Sequence, residues 1–294
     1  MEKERGIIDQ EIGMNLDAPD SVVFERLMEG MYRHHEIRVP VLGTSESIRK
    51  ITPQLLELCH RAFYTPGNMI LCVVGDVDPE RVKALALERL GSEKRPVAKK
   101  IPTEPEEMTV PVPLQRETME VAMPMFQMGF KCEPIASGAE AIRQEVVGDL
   151  AAEALFGESS ELYLRLYEQG LIDSSFGGGF ETVDGCAMLT CGGDSHDPEA
   201  VRSAMLAQAD ELVEKGIEET DFLRMKRSAL GRRIRDLDSF DSTCFRTCAY
   251  YFSGFDYFEF PGVYEAVTRE EVTEFLRQTV SEARCALSVI DPLK

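Results

Sequence analysis

The chain has 294 residues, of which 44% are hydrophobic and 29% charged, and its formal net charge is −20. This composition is typical of a globular protein, and no stretch approaches the roughly 20 apolar residues of a membrane span. The negative charge disfavours nucleic-acid binding, because phosphate contacts need clustered lysine and arginine. The amino terminus lacks the basic and apolar regions of a signal peptide, so the sequence predicts a cytoplasmic protein with neither nucleic-acid nor membrane partners.

The first part of the chain is predicted to form four helices and one strand. The helices cover about residues 2–14, 20–32, 53–63 and 79–90, and the strand covers 69–75. Pro79 lies in the first turn of the last helix, and Gly91 is expected to end it. Proline and charged residues dominate from about residue 92 to 115, which indicates a linker.

After the linker, strands and helices alternate along the chain. The sequence predicts a strand that ends at Phe130, helices over about 138–156 and 160–169, strands near 174–182 and 186–192, a helix from Pro198 to Gly216 and a long helix after Thr220. Asp184-Gly185 joins the two later strands as a hairpin, because this dipeptide accepts positive φ angles. Helices on one face of a mostly antiparallel sheet form a two-layer α+β lobe.

The sequence also indicates an internal duplication. A helix that opens at Thr52, a strand LCVVGDV and an Asp-Pro pair recur as a helix that opens at Thr268, a strand CALSVI and a second Asp-Pro pair. We therefore predict two related two-layer lobes, residues 1–91 and 116–294, joined by the linker 92–115. About 100 residues of the second lobe lack a counterpart in the first, so the first lobe is expected to be amino-terminally truncated.

Two glutamates near the start of the chain form a candidate site. Glu4 and Glu11, in the run ERGIIDQE, are two helical turns apart. Carboxylates at this spacing lie on one helix face and can bind a metal or orient a ligand. The spacing alone favours the alternative of a solvated helix face.

The segments ERGIIDQEI, MYRHHEIRVPVLGTSESIRKIT, FYTPGNM and VVGDVDPE resemble the insulinase and pitrilysin family of zinc peptidases. The likeness extends over essentially the whole chain and points to the short bacterial branch related to mitochondrial processing peptidase. In that family, two histidines of an HxxEH helix and a later glutamate bind zinc. The resemblance implies that Glu11 is this glutamate ligand and that Glu4 helps to position the ligands without binding the zinc itself.

The chain nevertheless contains no HxxEH. Its histidines are His34, His35, His60 and His196, and no two of them have the helical spacing that places two imidazoles on one zinc ion. Adjacent side chains point in different directions, so the His34–His35 pair is expected to lie in a solvated or hydrogen-bonded loop. The resemblance therefore implies zinc in the intact parent protein and none bound here.

These observations lead to one functional hypothesis and one alternative. We interpret the chain as a portion of a zinc-dependent endopeptidase that acts on peptides or unfolded segments and is inactive in isolation. The alternative is a non-catalytic assembly or peptide-binding subunit of the same family.

The resemblance gives a further expectation for the second lobe. Complete enzymes of the family carry an arginine and, seven residues later, a tyrosine that approach the substrate carbonyl. In RLYEQGLI, Arg165 matches the arginine as a weak substrate contact, whereas Ile172 takes the place of the tyrosine. Isoleucine donates no hydrogen bond, so we expect a heterologous family subunit to supply the pair. The uncovered apolar surface of a truncated lobe also predicts self-association.

The cysteines and the basic residues have simpler interpretations. Eight cysteines without a CxxC pair indicate buried free thiols and a reducing compartment. Cys244 and Cys248 could share a helix face, but buried thiols are favoured over a metal site there. The basic run at residues 225–236 is predicted to be a helix face that pairs with acidic neighbours.

Overall fold

The computed structural model describes residues 2–90, 98–99, 101, 104–183 and 185–293. Gly91, much of the predicted linker (residues 92–97, 100, 102 and 103) and Asp184 of the predicted turn lie outside the described residues. Among the described residues, no helix combines the length and the apolar character needed to cross a lipid bilayer.

Helices make up most of the described structure, and side-chain caps mark the starts of several of them. They are α1 (Glu2–Leu16), α2 (Pro19–Met31), α3 (Ser45–Arg49), α4 (Pro53–Phe63), α5 (Pro79–Leu90), α6 (Ala139–Phe156), α7 (Glu161–Glu168), α8 (Pro198–Lys215), α9 (Glu219–Arg235), α10 (Phe240–Ser253), α11 (Phe260–Ala266) and α12 (Arg269–Thr279). The side chain of Thr52 accepts a hydrogen bond from the Leu55 N–H at the start of α4, and Thr268 caps α12. The four helices predicted in the first part of the chain are confirmed.

In the described part of the chain, five strands form one sheet in the order β1-β5-β2-β4-β3. They are β1 (Leu114–Met119), β2 (Met125–Lys131), β3 (Gly177–Val183), β4 (Cys186–Asp194) and β5 (Cys285–Pro292). β1 and β5 pair in parallel, and the other pairings are antiparallel. Gly185, with φ of 92°, lies between β3 and β4, so the predicted hairpin is confirmed.

The two faces of the sheet are covered by different helices. One face, which includes Phe126, Leu189 and Leu287, packs with residues of α6, α8 and α12 in the main hydrophobic core. On the other face, Met28 and Met31 of α2 pack against residues of β4 and β5. The predicted α+β class and the mostly antiparallel, helix-covered sheet are confirmed, and α2 adds a layer that the sequence did not predict.

Residues 69–75 correct one expectation from the sequence. The segment has no regular secondary structure, and Leu71 and Val73 are exposed. A strand exists only through backbone hydrogen bonds to a neighbour, and no strand lies among the described residues 2–90. A first-lobe sheet therefore does not form among the described residues, and the division into two lobes stays a prediction.

The approach of α6 to β3 depends on one glycine. We expect Gly148→Ala to lower the free energy of unfolding by about 1–3 kcal/mol, because the added Cβ would lie 2.3 Å from Cγ of Phe180. The Phe180 ring already packs edge to face with Phe275, with 5.8 Å between ring centroids. This contact restricts movement of the Phe180 ring away from the added Cβ. Urea unfolding measures the change.

Gly231→Ala on α9 is the matched control for Gly148→Ala. A Cβ at Gly231 would meet nothing within 4 Å, so helix propensity alone should stabilise this variant by up to about 1 kcal/mol. Stabilisation by both alanines would show that the α6–β3 contact tolerates the extra carbon.

Candidate functional site

A large groove lies along the open edge of the sheet. Its cavity volume is about 1190 Å³, and its walls come from β3, α6, α9 and α10. Residues that line it include Asp149 of α6, Gly179 of β3, Arg232 of α9 and Phe245 of α10. A cavity of this size can hold several residues of an extended peptide.

Strand β3 presents an unpaired backbone edge to this groove. It lies at the end of the strand order and pairs only with β4 among the described strands. Its first part is the glycine run 177–179, and a Cβ at Gly178 would lie 2.0 Å from the Thr190 carbonyl oxygen of β4. Without side chains in this run, another backbone can approach closely. An exposed edge of this kind can accept an extended chain through main-chain hydrogen bonds.

A buried charge network forms the floor of the groove. Arg233 of α9 is only 5% exposed, and its guanidinium lies 3.6 Å from the carboxylate of Glu145 on α6. Arg233 also donates a hydrogen bond of 3.2 Å to the Tyr250 hydroxyl, which in turn donates to Glu145. Burial raises the pKa of Glu145, while Tyr250 and Arg233 act in the opposite direction. These contacts connect α6, α9 and α10.

Asp149 is the second carboxyl group that α6 contributes to the groove. It follows Glu145 by four residues, which is one helical turn. The side chain of Asp149 is exposed to the groove. The surrounding protein nevertheless removes much of its hydration, and this raises the pKa of Asp149 to about 7. The charge of Arg233 acts to lower this pKa, whereas the charge of Glu145 acts to raise it. The charge of the groove therefore changes near neutral pH.

Sequence reasoning identified only part of this site. The basic run was predicted to pair with acidic neighbours, and this is confirmed by Arg233 with Glu145 and by Arg232, which lies 3.7 Å from Glu153. The acidic residues of α6 were not singled out. The spacing of Glu145 and Asp149 was the available signal, because residues four apart lie on one helix face.

The glutamates of the candidate metal site lie on α1. Glu4 and Glu11 are both exposed, whereas Ile12 of the same helix is buried. Among the described residues, no group of three or more His, Cys, Asp or Glu side chains is arranged to bind a metal ion. A peptidase zinc site needs three protein ligands and a water, so the residues present here do not fit a zinc ion.

The histidines have other environments. His34 and His35 lie in a loop whose backbone N–H groups donate to the carboxylate of Glu106, with 2.7 Å for His35, so the predicted hydrogen-bonded loop is confirmed. His60 stacks on Tyr64 with 5.0 Å between ring centroids. His196 is exposed after β4.

Glu106 holds this loop against the sheet. It accepts further hydrogen bonds from the Arg33 N–H at 3.0 Å and from the ammonium group of Lys131 at 3.2 Å. Lys131 is 2% exposed and lies over the Tyr32 ring, 4.7 Å from its centroid. Burial pushes the pKa of Glu106 upward, but the three backbone N–H donors and Lys131 outweigh it and lower the pKa to about 2.

Arg165 and Ile172 lie in different environments. Arg165 is exposed on α7 and donates a hydrogen bond of 3.1 Å to the Gln208 side chain of α8. Ile172 is 3% exposed and belongs to the main hydrophobic core. Arg165 is not among the residues that line the groove beside β3, so its contact with a substrate stays a prediction.

The cysteines lie in different environments. Cys132, Cys186, Cys191 and Cys285 are buried, as predicted. Cys59 is exposed on α4, and the prediction of burial is wrong there because its helix face has no covering element among the described residues. Cys72, Cys244 and Cys248 are partly exposed.

Comparison with known proteins gives consistent matches. Residues 50–229 match the family model described as the peptidase M16 inactive domain. The uncharacterized zinc protease YmfH of Bacillus subtilis is 33% identical over 300 residues, which cover 99% of this chain and 69% of YmfH. An uncharacterized zinc protease of Mycobacterium leprae is 34% identical over 92 residues, or 31% of this chain and 21% of that protein.

Solved structures agree with these matches. The crystal structure of an M16-like peptidase from Alicyclobacillus acidocaldarius superposes with a TM-score of 0.93 and 28% identity, over 99% of this chain and 70% of that one. A protease from Helicobacter pylori has the same fold, with a TM-score of 0.83, 18% identity and coverage of 99% and 71%.

Proposed function

Because this chain belongs to the M16 peptidase family, we propose that it is the peptide-binding, non-catalytic portion of a zinc-dependent endopeptidase. The match to the inactive domain and the identity with bacterial zinc proteases support this proposal, and they confirm the insulinase and pitrilysin resemblance. The chain spans 69% of the length of YmfH. The proposal assigns catalysis to a larger protein or assembly.

The free edge of β3 is the observation that carries the proposal. A peptide that pairs with this edge uses main-chain hydrogen bonds, which are the same for every sequence. The glycine run 177–179 removes side chains that would obstruct it, and the groove provides the space. This mode of binding suits peptides and unfolded segments, because a folded chain has few free backbone groups.

The zinc site is proposed to be completed by other residues. Glu11 would provide the glutamate ligand and Glu4 would support it, once two imidazoles are contributed by another segment or subunit. In this proposal, residues 1–91 belong to the zinc-site lobe and residues 116–294 to the second lobe. A heterologous family subunit supplies the arginine and tyrosine pair, with Arg165 as a weak additional contact.

Peptide binding to β3 can be tested directly by hydrogen exchange. With a fluorescein-labelled unstructured peptide, we expect saturable binding by fluorescence anisotropy. The same peptide should slow amide exchange in residues 177–183, because their free N–H groups become hydrogen-bonded, whereas β1, at the opposite edge of the sheet, serves as the internal control. We expect no cleavage by the chain alone.

Two results would contradict this proposal. Binding without any change in β3 exchange would place the peptide elsewhere. Chelator-sensitive cleavage by the isolated chain would show a complete metal site.

An assembly role is the second candidate, and exposed apolar side chains favour it. Leu55 and Leu58 of α4 and Leu85 and Leu87 of α5 are each at least 43% exposed. Such a surface is typical of contacts with another chain or a second copy. Concentration-dependent sedimentation without peptide binding would favour assembly over peptide handling.

A further inference from the structure

Three cysteines that are far apart in the sequence meet on one side of the molecule. Cys72 lies in segment 69–75, whereas Cys244 and Cys248 are one helical turn apart on α10. The thiol of Cys244 lies 3.9 Å from the Cys72 carbonyl oxygen. Both α10 thiols are near enough to the Cys72 thiol to contribute to the rise of its pKa.

The segment is positioned there by side-chain contacts with α10. A Cβ at Gly75 would lie 3.9 Å from the Phe240 ring, so the end of the segment rests on the start of α10. No strand among the described residues pairs with the segment. Its position therefore depends on the thiols and on neighbouring apolar contacts.

We propose that Cys72 and the α10 pair form a peroxide-sensitive disulfide site, with Cys72–Cys244 as the first product and Cys248 as an exchange partner. All three thiols are partly exposed, so a small oxidant can reach them. The proposal does not depend on peptide binding by the groove.

The oxidation takes place in two balanced steps. Hydrogen peroxide oxidises the Cys244 sulfur to a sulfenic acid; the peroxide O–O bond breaks, and the leaving hydroxide takes the Cys244 thiol proton and is released as water. The Cys72 sulfur then attacks the sulfenic sulfur; an S–S bond forms, the S–O bond breaks, and the oxygen leaves as water with the Cys72 proton. Overall, two thiols and one peroxide give one disulfide and two waters.

The pH dependence of the second step follows from the environment of Cys72. Burial and the neighbouring Cys244 and Cys248 thiols raise the pKa of Cys72 to about 11. The attacking sulfur is therefore protonated at neutral pH, and disulfide formation should accelerate as the pH rises towards that value.

The disulfide would attach segment 69–75 covalently to α10. In the reduced protein, the exposed backbone of this segment remains free to pair with a strand of another chain or segment. In the oxidised protein, the cross-link holds the segment against α10 and opposes that pairing. The site would thus make strand pairing at this segment sensitive to the redox state.

Peptide mapping tests the site in the wild-type chain. After brief treatment with hydrogen peroxide, alkylation of the remaining thiols and digestion without reductant, we expect a cross-linked peptide pair that contains Cys72 with Cys244 or Cys248. A dithiol reductant should reverse it. Cys72→Ser should abolish this product, whereas Cys59→Ser, which removes an exposed thiol on α4, should leave it unchanged.

The wild-type map decides the outcome even if a serine variant fails to fold. Cross-links restricted to Cys244–Cys248, or oxidation of Cys59 alone, would overturn the proposal. If a folded Cys72→Ser variant still gave the same cross-linked product, the product would not contain Cys72, and the proposal would be overturned.

Discussion

Replacing Glu145 by glutamine is expected to lower the free energy of unfolding by about 3 kcal/mol. Arg233 is only 5% exposed, and in the variant its guanidinium keeps its burial but loses the carboxylate 3.6 Å away. The charged acceptor for the Tyr250 hydroxyl is lost as well. An unpaired buried charge is more destabilising than the pair is stabilising, which makes this change large.

Urea unfolding of the Glu145→Gln variant measures this loss. Glu140→Gln, on the exposed start of the same helix, is the matched control and should change stability by less than about 0.5 kcal/mol. The double variant Glu145→Gln with Arg233→Met should recover part of the loss, because both charges are then absent. Equal effects of Glu145→Gln and Glu140→Gln would show that solvent screens the Arg233 charge.

Glu106→Gln is expected to cost about 3 kcal/mol near neutral pH. The wild-type carboxylate accepts from consecutive backbone N–H groups and neutralises Lys131, which is 2% exposed. Glutamine can retain some of the hydrogen bonds but leaves the ammonium group without a counter-charge. The control is Glu104→Gln, whose carboxylate is 78% exposed beside His34 and should contribute little.

The effect of Glu106 on stability should depend on pH in a defined direction. Its pKa is about 2 in the folded protein, compared with the ordinary value of 4.5 in the unfolded chain. Because the folded pKa is the lower one, the stabilisation is complete above the unfolded pKa and is lost as the pH falls through the folded pKa.

Acid titration of stability provides the measurement for this pH dependence. The difference in unfolding free energy between wild type and Glu106→Gln should narrow as the pH is lowered from 4.5 towards 2. A difference that stays constant over this interval would contradict the assigned role of the carboxylate.

Local signals in the sequence predicted much of the fold. Thr52 and Thr268 cap their helices as expected, and Gly185 makes the predicted hairpin possible, because capping and turn geometry depend on neighbouring residues. The expected strand at 69–75 is wrong because its formation needs a partner distant in sequence. The strand β1 was missed because its burial alternates only between exposed and half-buried residues.

The candidate site was harder to predict than the fold. The groove depends on α6, α9 and β3 meeting in space, and no local pattern specifies that meeting. The family resemblance predicted site roles for Glu11 and Arg165, both of which are exposed and outside the groove. Their roles depend on groups that the described residues do not provide, so they stay predictions.

The position of β5 in the sheet has a consequence for how the chain folds. β5 lies between β1 and β2, yet it is the last of the described strands in the sequence, and its Leu287 pairs with residues 114 and 128. During synthesis, β1 and β2 therefore cannot acquire their shared neighbour until residues 285–292 have emerged from the ribosome. The sheet should close late and slowly, through contacts of long sequence separation, and the apolar β2 would depend on temporary protection in the meantime.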